Sequence, residues 1–267
     1  MDSEDLRKRM ALAKTLAEQA GHLLLKRFGA LTRVDYKGSV DLVTDADEAA
    51  EALIRVGVTE AFPEDRILAE EGGEQGSADG AWCWVIDPLD GTTNFVHGVN
   101  RFAVSVGITH LDAPVGGVIY DPSHDALYHA MSGAGAWRGA ERLNVSTRQA
   151  LGESLLVTGF PYNRSECAAE LTAVVARAME QARGVRRFGA ASLDFVDVAK
   201  GVLDGYWEPR LAPWDMAAGV VLVCEAGGVV SRYEGRDFTL QSPDIIASNG
   251  AIHSALIAMV RGEGEGV

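Results

Sequence analysis

Three apolar runs in this sequence end abruptly in acids: "ILAEEGG" at Glu70 and Glu71, "WVIDPLDGTT" at Asp87 and Asp90, and "LAPWDMAAG" at Asp215. A fourth acidic stretch, "VDLVTDADE", contributes Asp41, Asp45 and Asp47. Each has a plain explanation by itself. Asp-Pro-x-Asp-Gly suits a type I turn, and Glu70 and Glu71 can sit in a solvated loop. Asp47 can cap a helix, and Asp215 can complement a helix dipole for about 0.3 to 1 kcal/mol. Four segments nevertheless place acids at the same kind of junction, and one shared metal site explains all of them. Two carboxylates about 4 Å apart repel by about 4 kcal/mol at an effective dielectric near 20, so a converged cluster shifts its pKa values or recruits cations. An all-oxygen set with no His or Cys spacing selects hard ions, Mg²⁺ first and then Mn²⁺ or Ca²⁺.

The central stretch also has the means to hold an anion. Pro88 biases Asp87 to an extended backbone and fixes the turn, so Asp87 and Asp90 can face one point with the Leu89 carbonyl between them. Gly91 permits close backbone approach, and Thr92 and Thr93 can begin a helix whose free N–H groups receive a phosphate. Carboxylates beside an anion cradle are what metal-assisted phosphoryl transfer to water requires.

Those side chains need a framework of many short elements. Residues 4–28 read as an amphipathic helix with Leu6, Met10, Ala13, Leu16, Ala20 and Leu24 on one face and Ser3 as N-cap. A second helix starts near Thr44 and runs through Leu53 and Val56 to Phe62, where Pro63 stops it. Between them "RVDYKGSVDLVT" reads as a short strand or hairpin. Strand-like runs follow at "RILAEE", "WCWVI", "FAVSVGITH", "GGVIY", "ALYHAM" and "SLLVTGF", punctuated by Gly, Pro, Asp and Ser. From Glu166 onward, helices near 166–182, 192–200, 214–226 and 251–262 alternate with strands. The fold class is α+β, with an N-terminal, mostly antiparallel sheet and a C-terminal, more parallel one. The "GEGEGV" tail is expected to fray.

Composition sets the outer limits. At 267 residues the chain can bury roughly 70 to 75% of its unfolded surface without a metal or disulfide to staple it. Its 30 glycines favour tight turns between strands over a helical bundle. Cys83, Cys167 and Cys224 lie far apart with no C-x-x-C spacing, so they are expected to be reduced, buried and inert. A formal net charge of -14 argues against general nucleic-acid binding. "MDSEDLRKRM" has no apolar signal region, and no run of about 18 apolar residues occurs, so the expectation is a soluble, cytoplasmic protein with no membrane partner.

At its acidic motifs the sequence resembles the inositol monophosphatase family, within the wider group of Mg²⁺-dependent, lithium-sensitive phosphomonoesterases. The matching pieces are "KGSVDLVTDAD", "LAEEGG", "WVIDPLDGTTNFVHG", "TGFPYN", "FGAAS" and "PWDMAAGVVLVCEAGG", in family order and at family spacing. The resemblance implies one Mg²⁺ on Glu70, Asp87 and the Leu89 carbonyl, a second on Asp87, Asp90 and Asp215, and a third, weaker ion near Glu70. Mn²⁺ is an alternative metal. It implies a water polarised by metal and oriented by Thr92 with Asp47, and a phosphate held by Gly91, Thr92 and Thr93. Further substrate contacts fall on Gly189, Ala190, Ala191, Glu208 and Asp215. The implied architecture is a layered αβαβα sugar-phosphatase fold. It forms a single unit over 1–267, with subdomains at about 1–145 and 146–267, usually as a homodimer.

Some positions depart from the family or stay open. Ala190 stands where many relatives carry Ser or Thr beside the substrate, so one hydroxyl contact is lost. Glu208 reads either as the acid that binds a substrate hydroxyl or as a surface glutamate at a strand end. Arg210 reads a second anionic group or is a solvated loop residue, and His97 is better read as structural than as lining the metal turn. Fructose-1,6-bisphosphatase, histidinol-phosphatase and 3'-phosphonucleotide phosphatase are alternatives within the superfamily. A non-catalytic regulatory or interaction protein on the same fold is the alternative of another class. An aspartyl-phosphate phosphatase of the haloacid dehalogenase type is disfavoured because Asp87 and Asp90 are three residues apart, not two. An EF-hand is disfavoured further, because "DADEAAE" lacks the loop glycine and the spaced terminal Glu.

Overall fold

The computed structural model describes residues 2–29, 34–36, 42–76 and 80–263. The expectations for Asp41, for residues 37–40 of the first family-like piece and for the 264–267 tail fall outside the described residues. The chain begins with α1 (Ser3–Arg27), β1 (Val34–Tyr36), β2 (Leu42–Thr44) and α2 (Asp45–Ala61). Then come β3 (Arg66–Ala69), β4 (Gly73–Gln75), β5 (Trp82–Asp90), α3 (Thr92–Val96), β6 (Ala103–His110) and β7 (Ala113–Asp121). Three further strands, β8 (Ala126–Met131), β9 (Ala136–Arg138) and β10 (Glu141–Arg142), complete the first half. The second half runs β11 (Leu155–Thr158), α4 (Ala168–Gln181), β12 (Gly184–Arg186), α5 (Ala191–Ala199) and β13 (Gly205–Pro209). It ends with α6 (Pro213–Glu225), β14 (Val229–Ser231), β15 (Asp244–Ser248) and α7 (His253–Arg261).

The two N-terminal helices start where side chains can satisfy their free N–H groups. α1 is capped by Asp2, whose carboxylate accepts the Glu4 N–H at 2.9 Å, and not by Ser3, which is already helical. Both residue types cap well, so sequence alone does not choose between them. α2 carries a full capping box, with Thr44 and Asp47 bonding each other's backbone N–H. The hairpin expected before it is β1 paired antiparallel with β2, Val34 opposite Thr44.

Among the described residues the larger sheet has the order β10-β9-β8-β7-β6-β5-β3-β4 and is antiparallel except where β3 runs parallel to β5. The smaller sheet, β12-β11-β13-β15-β14, is mixed: β11 is parallel to β12 and β13, while β15 is antiparallel to β13 and β14. α1 and α2 cover one face of the larger sheet, with Leu16, Leu24, Ile54 and Val58 against Trp84, Ile86 and Val106. Its other face, including Val85 and Ile119, packs on Phe195, Met216 and Val221 of α5 and α6, which also meet Tyr206 and Ile245 of the smaller sheet. α4 and α7 close the far side through Val174, Ala178, Leu256 and Met259. The layers therefore run helix, sheet, helix, sheet, helix. No described helix is long and apolar enough to cross a membrane. Only Cys83 of the three cysteines is buried; Cys167 and Cys224 fall at the start of α4 and in the last turn of α6, where the chain meets solvent.

Two glycines set how closely α6 approaches the larger sheet. A Cβ on Gly107 would lie 2.5 Å from the Ala217 Cβ, and one on Gly117 would lie 2.5 Å from the Ala218 carbonyl oxygen. Gly117→Ala is therefore expected to push α6 outward and cost about 1 to 3 kcal/mol. That should lower Tm by roughly 2 to 4 °C per kcal/mol in a chain of this size. An unchanged thermal unfolding curve would contradict so close an approach.

Candidate active site

β5 is apolar and buried until Asp87, where its register against β6 shifts: Asp87 faces Ser105, but Asp90 faces Ala103. One extra residue on β5 makes a bulge at Pro88 and Leu89, where proline has no N–H to donate to the ladder. The bulge leaves the Asp87 carboxylate accepting the Leu89 N–H at 3.0 Å. Gly91 then turns with φ +88, and α3 begins. A Cβ here would meet the Arg101 carbonyl at 3.0 Å and the Ala190 Cβ at 3.2 Å, so both the conformation and the space call for glycine.

The other acids arrive on separate elements. Glu70 follows β3, its backbone N–H bonded to the Ile86 carbonyl of β5 at 3.1 Å. Asp215 lies in the first turn of α6 and accepts the Ala212 N–H at 2.7 Å. Asp90, at the end of β5, caps α5 in the helix layer beside it, accepting the Ala191 N–H at 3.0 Å, the Ser192 N–H at 2.8 Å and the Ser192 hydroxyl. Asp47 is fully buried, so it does not line the cleft itself. It stands behind Thr92, whose hydroxyl lies 3.2 Å from Asp47 Oδ1 and 2.9 Å from the Leu89 carbonyl. Its plain role as a cap and its contact with Thr92 coexist.

A cleft of about 430 Å³ gathers Glu70, Asp87, Leu89, Asp90, Gly91, Thr92, Thr93 and Asp215 together with Gly189, Ala190, Ala191 and Glu208. Among the described residues no group of three His, Cys, Asp or Glu side chains is already drawn together at ligating separation. Asp87, Asp90 and Asp215 are instead held on backbone N–H groups; Asp90 Oδ2 takes both donors of Ser192, while Asp90 Oδ1 and the bonded oxygens of Asp87 and Asp215 each keep a further lone pair. The donor set still fits a hard divalent cation, being four carboxylates and a peptide carbonyl with no softer ligand.

Electrostatics point the same way. Burial, then the charges of Glu70, Asp90 and Asp215, push the Asp87 carboxyl well above the usual carboxylate range. Asp215 is raised likewise, by burial first and then by Glu70 and Asp90. Burial also raises Asp90, against the lowering effect of Ser192, the Ala191 N–H and Arg101. A carboxyl raised on folding binds more protons in the native than in the unfolded state, so its contribution to stability falls as pH rises above the unfolded value. The metal-free protein is therefore expected to lose Tm as pH rises above the ordinary carboxylate range of about 4, and saturating Mg²⁺ to flatten that slope. A Tm that rises with pH without metal would refute the raised values.

Glu208 is no surface residue. It is 7% exposed at the cleft, accepts the Tyr206 hydroxyl at 2.5 Å, and has its carboxyl pushed up to about 7 by burial. Gly159 makes room for it, since a Cβ there would sit 2.0 Å from Glu208 Oε2. Arg210 lies exposed on the cleft rim with φ +63, its N–H bonded to the Pro243 carbonyl at 2.6 Å. His97 is exposed at the end of α3 and does not line the cleft. The sequence reading missed Asp194, Arg101 and Ser192. Asp194 lines the cleft and, like Asp197, pairs with Arg101, at 2.6 and 2.9 Å. Two acids inside the otherwise apolar "AASLDFVDVA" were the available signal.

Comparison with known proteins gives the same assignment. The family model described as "Inositol monophosphatase family" matches residues 5–265. An inositol-1-monophosphatase from Synechocystis is 42% identical, covering 94% of this chain and 88% of its own. The Nus factor SuhB of Escherichia coli is 39% identical, covering 94% and 95%. The inositol monophosphatase structure from Anabaena superposes with a TM-score of 0.89 at 40% identity, covering 97% of both chains. The family is Mg²⁺-dependent. From the bulged turn to the whole-chain match, the protein is a phosphatase and belongs to the inositol monophosphatase family.

Proposed function

We propose that the cleft hydrolyses inositol monophosphates, myo-inositol 1-phosphate to myo-inositol and phosphate, with water as the nucleophile. The observation that carries this reading is the Thr92 contact with Asp47 beside the turn that bears Asp87 and Asp90. Glu70, Asp87, the Leu89 carbonyl, Asp90 and Asp215 would hold two or three Mg²⁺ ions, and Mn²⁺ suits the same oxygens. When bound, the metal neutralises charge on the phosphate and makes water a better nucleophile.

The protein's own part is orientation and proton handling. The Thr92 hydroxyl has one proton to donate, to Asp47 or to the Leu89 carbonyl, and keeps a lone pair to accept from water. Asp47, raised by burial, is suited to take up the proton as the water attacks. The backbone of Gly91, Thr92 and Thr93 at the start of α3 would receive the phosphate. Gly189, Ala190 and Ala191, which pack beside that turn and line the same cleft, would contact the substrate, and Glu208 would accept a hydrogen bond from a ring hydroxyl. Hydrolysis of inositol 1-phosphate that stops with chelator and returns with Mg²⁺ is the direct test; turnover in excess chelator would overturn the reading.

Glu208→Ala is expected to lower kcat/KM for inositol 1-phosphate roughly 10- to 100-fold, the worth of a charge-assisted hydrogen bond. p-Nitrophenyl phosphate has no ring hydroxyl, so its rate should barely move. Equal losses on both would make Glu208 structural. Fructose 1,6-bisphosphate turning over much faster than inositol 1-phosphate, with that preference lost in Arg210→Ala, would move the enzyme to the bisphosphatase branch. A cytoplasmic location, a homodimer and one catalytic unit with subdomains at 1–145 and 146–267 are further parts of the proposal, open to fractionation, light scattering and limited proteolysis.

One observation favours a second role beside catalysis: the Escherichia coli relative is named a Nus factor. The expectation of no nucleic-acid partner is thereby open to a direct binding assay with RNA.

A further inference from the structure

We propose that Glu51 is a positioning residue that sets the cation affinity of Glu70, an inference that rests on Glu70 being a metal ligand. Glu51 sits in the middle of α2 and is only 3% exposed. Its Oε2 accepts the Glu71 N–H at 2.8 Å and its Oε1 accepts the Gly72 N–H at 2.8 Å. The two peptide groups that directly follow Glu70 are thus both held by one carboxylate, which fixes the path of the turn between β3 and β4.

Arg55, one helical turn on, completes the clamp. It donates to Glu51 Oε1 at 3.1 Å, to the Gly73 carbonyl at 3.3 Å and to the Gln75 side-chain oxygen at 2.7 Å. Gly72 has no room for a side chain inside this arrangement: a Cβ would lie 2.6 Å from Glu51 Oε1 and 2.4 Å from an Arg55 nitrogen. One turn before Glu51 on the same helix face is Asp47, which meets Thr92. A single stripe on α2, Asp47, Glu51 and Arg55, therefore holds both the hydroxyl beside the reacting phosphate and the turn that presents Glu70.

A carboxylate is specifically required, because two adjacent backbone donors need two acceptor oxygens. Glutamine offers one oxygen and turns an NH₂ donor toward the other N–H. Residues that orient metal ligands from behind typically set metal affinity by 10- to 100-fold.

The test is calorimetric titration of Mg²⁺ into the full-length wild type, Glu70→Gln and Glu51→Gln, each well below its unfolding temperature. Glu51→Gln is expected to bind roughly 10- to 100-fold more weakly, with kcat recovering and substrate KM unchanged at saturating Mg²⁺. A purely structural role would lower Tm without moving the Mg²⁺ isotherm, and that result overturns the inference. If Glu70→Gln itself binds Mg²⁺ like wild type, the ligand assignment beneath the inference fails first. Should Glu51→Gln not fold, Arg55→Gln removes the brace while keeping the carboxylate. A several-fold loss of affinity supports the inference, and wild-type affinity overturns it.

Discussion

Asp90→Asn is expected to lose at least about 10²-fold in kcat, because on the proposed ligand assignment a cation site in the cleft would lose a charged ligand and the transition state its stabilisation. The variant will also unfold more easily. Asp90 accepts two N–H groups and a hydroxyl at the start of α5, and asparagine turns a donor toward one of them at a cost of about 1 to 3 kcal/mol. Rates must therefore be read well below the lowered Tm. Ser192→Ala separates the two effects, since it removes one bond to Asp90 and leaves both carboxylate oxygens. It should lower Tm yet keep most of the rate. Equal rate losses in the two variants would show that Asp90 acts through α5, and full activity in Asp90→Asn would end its assignment as a ligand.

Thr92→Ala should cut kcat by about 10²-fold or more while changing KM much less, as expected for a group that orients the attacking water mainly in the transition state. Thr92 is the cleaner probe of the pair. Asp47 also caps α2 through Thr44, so Asp47→Asn would mix a catalytic loss with a capping loss of about 0.5 to 2 kcal/mol. Thr92→Ser should restore most of the rate by returning the hydroxyl. A rise in KM at unchanged kcat would mean that Thr92 binds ground-state phosphate only. After rapid acid quench with ³²P-labelled substrate, label on Asp87 would replace direct water attack with a phosphoaspartate route.

The site was legible because each acid stands where an apolar run meets a turn, and that boundary is local. Glu70, Asp87, Asp90 and Asp215 each have a plain explanation alone and stand out as a candidate set only together, and α2, α4, α5, α6 and α7 could be placed near their observed limits by periodicity and breakers. What escaped was either too short or non-local. β9, β12 and β14 have three residues each, too few for an alternating pattern to register. The smaller sheet turned out half antiparallel because β15 enters between β13 and β14, which no local signal reports. Asp90 capping α5 joins residues about a hundred positions apart. Glu51 looks in sequence like one more solvated helix acid, since its partners are backbone N–H groups whose positions only the fold supplies.

The cap that Asp90 places on α5 also dictates an order of events during synthesis. A chain leaving the ribosome can pair all the strands of the larger sheet once Arg142 has emerged, but Val85, Ile119 and Tyr128 stay uncovered until α5 and α6 follow. α5 in turn waits for a cap made about a hundred residues earlier, a contact of long sequence separation that forms slowly. Burial of that sheet face and completion of the cleft are consequently one late step. A nascent chain stalled before Pro213 lacks Asp215 and α6, so it is expected to be inactive and to leave the apolar face of the larger sheet open to chaperones and proteases.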